Sequence, residues 1–278
     1  NHLRAVEQSN PATMFALPQR VDTFESHELG FMPDALKVLF REILSWQQDI
    51  GGVYAAAVPV VSDWLQRTGA TSILDLCSGA GGPGITLVKA LRESGVPSAT
   101  IKLTDLYPAT EVYTQLQAQH AEFVSFEPGS VDATNSRRDE TFRVRTLLSA
   151  FHHFSPEFAQ KILADAAQNS DGICIMDPFH RDLWHLLSVP IGTTLGTQIY
   201  PLVRDRSPFA LAMCNLTPVI PAMFFWDSIA SVLRGYTEDE LLALTRIPEC
   251  DAFEWRAGTW SYLPVTGLKG VYLTGVRK

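Results

Sequence analysis

Asp75, Gly79, Gly81 and Gly84 stand at spacings that suit ligand chemistry. A carboxylate lies near the end of the apolar run Ile73-Leu74-Asp75-Leu76, and a small-residue loop follows, Cys77-Ser78-Gly79-Ala80-Gly81-Gly82-Pro83-Gly84. Glycines let backbone come close to a ligand, and a helix starting after such a loop turns free amides toward it. The loop satisfies G-x-G-x-x-G, the dinucleotide fingerprint, but that pattern also occurs in turns that bind nothing. Asp75 discriminates between ligands. A carboxylate in this place repels a pyrophosphate and attracts a cation, such as the ammonium and sulfonium of a methionine-derived tail.

Two further acids recur at the ends of the next apolar runs. Asp105 closes Leu103-Thr104-Asp105-Leu106, where a carboxylate can accept both hydroxyls of a ribose. Gly129-Ser130-Val131-Asp132-Ala133 follows the third run, where Asp132 can accept from an adenine amino group. Each acid alone is as well explained as a turn former. Three at consecutive strand ends make a nucleoside-and-tail site.

These elements are positioned by an alternation of apolar runs and amphipathic segments. Strands are expected over 72–76, 101–105, 123–126, 143–150 and 173–177, with helices over 84–94, 108–121 and 156–169 between them. Such alternation specifies an α/β fold with a doubly wound, mostly parallel sheet. A helix over 237–246 with a Thr237/Glu240 capping box and closing strands over 252–259 and 271–277 bring the sheet to seven strands. Helical spacing over 33–67, ending at Gly69, forms an N-terminal cover, and residues 1–20 read as a loose arm. The expected division is 1–70 arm and cover, 71–178 ligand-binding core, 179–235 an apolar, Pro-rich cap inserted after the fifth strand, and 236–278 the end of the core.

The chain resembles the class I S-adenosylmethionine-dependent methyltransferases, on the loop from Asp75 to Gly81, on Asp105 and on Asp132. The likeness covers 72–177 well and 234–277 loosely. It implies a Rossmann-like methyltransferase fold, S-adenosyl-L-methionine as cofactor, and a cofactor set of Asp75, Ser78, Gly79, Gly81, Asp105, Leu106, Val131, Asp132, Ala133 and Ser149. Cys77 departs from the family, which carries glycine there. No Pro-Cys dipeptide supports a cytosine-5 DNA methyltransferase, and Asp177-Pro178-Phe179 falls short of the Asp-Pro-Pro-Tyr motif of nucleobase amino methyltransferases.

Methyl transfer needs alignment and, for some acceptors, a base. His152 and His153 in Ser149-Ala150-Phe151-His152-His153-Phe154 are the candidate bases, next to where the methyl group would lie. Tyr54, His180 and His185 are candidate substrate contacts. Leu186, Leu187, Ile199, Phe209, Met213, Met223, Phe224 and Phe225 suggest a small, largely apolar acceptor, or equally a cap buried on the core or a homodimer face. Asp227 and Arg234, seven apart, are expected to pair and hold the cap.

A net charge of −8 argues against a nucleic-acid substrate. Four scattered cysteines form no metal motif, and no metal is expected. The uncharged stretch 209–226 contains Pro218 and Pro221 and reads as a cap rather than a membrane span. With no basic segment before an apolar run at the start, a cytoplasmic enzyme on a small molecule is the expectation. The competing readings are an NAD(P)-dependent oxidoreductase, which has no use for Asp75, and a non-catalytic protein that binds S-adenosylmethionine.

Overall fold

Alternating apolar strands and amphipathic helices wind into one seven-stranded sheet in the computed structural model, which describes residue 17 and residues 19–278. Strands β1 (Ser72–Leu76), β2 (Thr100–Leu103), β3 (Val124–Phe126), β4 (Val144–Leu148) and β5 (Gly172–Asp177) run parallel. The closing strands β6 (Phe253–Ser261) and β7 (Lys269–Arg277) form a hairpin, and β7 joins β5 antiparallel. The order β3-β2-β1-β4-β5-β7-β6 reverses direction between β1 and β4. Ligands of open α/β sheets bind beyond the carboxyl ends of strands at such a point. The expected arm over 1–20 falls almost wholly outside the described residues.

Both faces of the sheet are covered. Helices α2 (Val58–Thr68), α3 (Gly82–Glu93) and α4 (Thr110–Gln119) share one core cluster, with α1 (Asp34–Ile50) packed against α3, and α5 (Pro156–Asn169) packs with the later helix α9 (Glu238–Leu244). β4 and β5 are buried at every residue, as strands covered on both faces must be. α2 stops at Gly69, whose φ of +65° suits a residue without Cβ. The capping box on α9 forms as expected, with Thr237 Oγ1 accepting from the Glu240 amide.

The segment after β5 is more regular than the sequence reading. It folds into α6 (Leu183–Val203), α7 (Pro208–Leu211), a short π-helical turn and α8 (Val219–Arg234). Pro190 and Pro201 lie inside α6, and both are buried. The Asp182 carboxylate caps its start by accepting the His185 amide, and tertiary packing on α1 and α8 overrides the propensity against helix. Met223 and Phe224 bury with Leu39, Phe40 and Ile43 of α1 in a third core cluster. Leu187, Ile199, Phe209 and Phe225 are exposed instead. Among the described residues no single helix is long and apolar enough to cross a membrane. The turn between α7 and α8 bends the chain by 63°.

Asp227 and Arg234 both lie on α8 but do not pair with each other. Asp227 accepts from the Ser26 amide at 2.6 Å and meets His27, while Arg234 grips Glu28 at 3.0 Å. Their partners come from the segment 25–28, some two hundred residues earlier, which no local spacing could reveal.

Candidate functional site

The loop after β1 is built by a knot of short hydrogen bonds. Ser78 donates its hydroxyl to the Asp75 carbonyl at 2.9 Å and accepts the Thr104 amide at 3.1 Å. The Thr104 hydroxyl donates to the same carbonyl at 2.7 Å, so the ends of β1 and β2 are locked together. Gly81 turns into α3 at φ +79°, and a Cβ there would press on Leu103 and Leu116 at 2.9 Å. Cys77 sits where the resemblance leads one to expect glycine, and its φ is +56°, in the left-handed region. Ser149, at the end of the adjacent β4, has the same φ of +56°. Each of the two strands thus turns sharply at its carboxyl end, away from the sheet.

Three carboxylates surround this loop. Asp75 is buried and accepts the Thr146 hydroxyl at 2.5 Å. Burial pushes its carboxyl up to about 6, against the pull of the Thr146 and Ser78 hydrogen bonds and with a push from the Asp105 charge. Asp105 lies two residues beyond β2 rather than in it. Its oxygens accept the Gly79 and Tyr107 amides, each at 2.9 Å. Asp132 is exposed and accepts both the amide and the hydroxyl of Thr134 on one oxygen. The Val131 amide donates to the Asp105 carbonyl, which brings the segment after β3 beside Leu106; Ala133 is buried beneath it. Burial raises the Cys77 thiol to about 12, helped by the charges of Asp105, Asp75 and Asp132, so it stays protonated. Among the described residues none of the three acids pairs with a lysine, an arginine or a histidine.

The N-terminal cover closes over this loop. Ser45 of α1 lies against Gly82, where a Cβ would run into it. Asp49 accepts from Thr86 of α3 at 3.2 Å. Gln48 donates to the Ser149 hydroxyl at 3.1 Å and Tyr54 shares a hydrogen bond with it at 2.5 Å. Tyr54 is fully buried, and burial raises its phenol well above the usual value. It belongs to an aromatic group with Trp260 and Tyr262, whose hydroxyl donates to the Pro178 carbonyl.

The His152-His153 turn is engaged elsewhere. The Asp177 carboxylate, at the end of β5, meets the His152 amide at 3.0 Å and its Nδ1 at 2.9 Å. Nε2 faces Glu25 at 3.4 Å. Burial alone would lower the imidazole, but the Asp177 and Glu25 carboxylates override it and hold it up at about 9. His153 lies on Glu28 at 2.8 Å, edge-on to His27. Arg20 and Arg234 donate to the backbone carbonyls of His152, His153 and Phe154. His180 and His185 form a separate cluster at the start of α6. His180 bridges Asp182 and Glu238, and His185 bridges Asp182 and the Lys269 amide.

No family model matches the sequence, and no curated protein does. Among solved structures, the plantazolicin methyltransferase BpumL in complex with SAH superposes at a TM-score of 0.51 and 15% identity, over 89% of this chain and 92% of that one. The chain has the methyltransferase fold. Magnesium protoporphyrin IX methyltransferase from Synechocystis PCC 6803 with bound SAH is also similar, with a TM-score of 0.46, 17% identity, and 84% and 86% of the two chains covered. So is the mitomycin 7-O-methyltransferase MmcR, with 0.47, 15%, and 84% and 60%.

Within this fold, Asp75, Ser78, Gly79, Gly81, Asp105, Leu106, Val131, Asp132 and Ala133 gather around one loop, and Ser149 stands beside it under Tyr54. The methyltransferase fold turns His180 and His185 onto each other and onto acids. Thr146, Gln48, Asp177 and Glu25 were not expected. Asp177 carried a signal, as an acid closing the fifth strand, but Glu25 lies in a polar stretch with none.

Proposed function

We propose that the chain transfers the methyl group of S-adenosylmethionine to a small-molecule acceptor. The observation that carries this reading is the set of three carboxylates around a glycine loop, with no cation among the described residues paired to them. Such a site favours a positively charged ligand and disfavours a pyrophosphate. When bound, S-adenosylmethionine supplies a methyl group activated on a sulfonium. Asp75 and the amides of the loop would hold the methionine end, Asp105 the ribose hydroxyls, and Asp132 with Leu106, Val131 and Ala133 the adenine. Ser149 would line the methyl side.

Catalysis would then rest on alignment and exclusion of water by the α1–α2 cover. An imidazole that keeps its proton to about pH 9 has no lone pair to offer an acceptor at neutral pH, so His152 is better suited to positioning the turn after β4. His153, on Glu28, suits the same role. Thermal unfolding with S-adenosylhomocysteine and, separately, with NADH tests the reading. Stabilisation by the first and its loss in Asp105→Ala are expected, whereas stabilisation by NADH alone would overturn it in favour of an oxidoreductase.

A further inference from the structure

The outer face of α6 carries a half-exposed apolar band, engaged at one end where the Trp184 indole donates to the Thr266 carbonyl at 3.0 Å. Trp184, Leu187, Ile191, Leu195, Ile199 and Leu202 are each between 49% and 59% exposed. At 100° per residue they fall within a strip about 120° wide along one side of a helix about 31 Å long. The opposite side of α6 is accounted for. Thr193 bonds Ser228 of α8 and its carbonyl accepts Gln47 of α1, while Thr197, Tyr200 and Pro201 are buried.

The spacing of the band is symmetric. Its steps are three, four, four, four and three residues, so it reads the same from either end about position 193. An antiparallel copy of α6, related by a twofold axis near Thr193, sets Trp184 against Leu202, Leu187 against Ile199 and Ile191 against Leu195. A twofold interface requires this self-complementarity, because one patch must serve both partners.

The area fits as well. Trp184 and the five aliphatic side chains, each about half exposed, leave on the order of 600 Å² open along the strip. That is the top of the ~300–600 Å² patch usual on a monomer, and Leu183 and Val203, 40% and 57% exposed on its two flanks, extend it toward the roughly 800 Å² per partner of a stable interface. The composition points away from lipid. Residues 183–203 contain no lysine or arginine, so the band brings no basic side chain of its own to an anionic bilayer. The net charge of −8 also opposes an anionic bilayer.

We propose that the chain is a homodimer in solution, paired antiparallel through α6 about a twofold axis at Thr193. This does not depend on the methyl-transfer reading. Sedimentation velocity of the full chain at micromolar concentration should give twice the chain mass. Leu187→Lys and Ile199→Glu, both at half-exposed positions, should each fold with an unchanged circular dichroism spectrum and sediment as monomers. A buried unpaired charge should weaken the dimer by about a hundredfold or more. Mixed in equal amounts the two variants should dimerise again, because the lysine introduced in one copy would then face the glutamate introduced in the other. A wild-type monomer, a dimer indifferent to both substitutions, or a mixture that stays monomeric overturns the proposal. A wild-type monomer that floats with phosphatidylcholine–phosphatidylglycerol vesicles would assign the band to lipid instead.

Discussion

Replacing Asp75 with asparagine should make the protein more stable and a poorer binder. Burial raises the Asp75 carboxyl from 3.8 to about 6, so at neutral pH the folded state carries an ionised group that it disfavours. A displacement of this size corresponds to about 3 kcal/mol. The sign follows from the raised value. The folded state holds the proton more tightly than the unfolded chain, so this group's contribution is fully present below pH 3.8 and is lost as pH rises through 6. Asparagine keeps an acceptor for the Thr146 hydroxyl and has no charge to bury. Its NH2 donates where the carboxylate only accepted, which costs about 1 kcal/mol, so a net gain of about 2 kcal/mol is expected in denaturant at neutral pH. Affinity should move the other way. A cation that returns Asp75 to its ordinary range contributes the same ~3 kcal/mol, so the variant should bind S-adenosylhomocysteine about a hundredfold more weakly by calorimetry. Wild-type affinity should also decline as pH falls below 6, and the variant's should not. A variant that binds as tightly as wild type, or that loses stability, would refute the reasoning.

Two other perturbations test separate parts of the molecule. At Cys77, with φ +56°, glycine should leave stability within ~1 kcal/mol of wild type, whereas a β-branched valine should cost ~2 kcal/mol or more in thermal unfolding. At His152, held up at about 9 by Asp177 and Glu25, the stability from protonation is full below pH 6.5 and lost as pH rises through 9. Its loss amounts to about 3 kcal/mol across that window, and His152→Gln should flatten the slope in denaturation at a series of pH values.

The sheet was legible because its strands carry their signals locally. Ser72–Leu76 and the helix Pro156–Asn169 are bounded in the sequence by the same residues that bound them in the fold. The loop acids were legible for the same reason, since Asp75, Asp105 and Asp132 each follow an apolar run. α6 was not. Pro190 and Pro201 argue against a helix by propensity, and only packing on α1 and α8 settles the contest. The histidine pair shows a second kind of blindness. Imidazoles near a strand end suit a base until Glu25 and Asp177 are seen on either side of the ring, and neither neighbour is near in sequence. The Asp227–Arg234 pair failed likewise, because helical spacing brings two side chains within reach without saying that a better partner arrives from residues 25–28.

The cover over the glycine loop has a kinetic consequence. Ser45 against Gly82, Asp49 on Thr86, and Gln48 and Tyr54 on Ser149 join the first helical segment of the chain to the rim of the loop. A ligand bound on the loop is expected to exchange by displacing that segment from the rim. A handful of polar contacts holds the segment at the rim, and its hydrophobic anchor lies further back, on Phe224 and Met223. Loosening a contact such as Thr86 to Asp49 should then speed exchange in both directions in stopped-flow binding and leave the equilibrium constant nearly where it was.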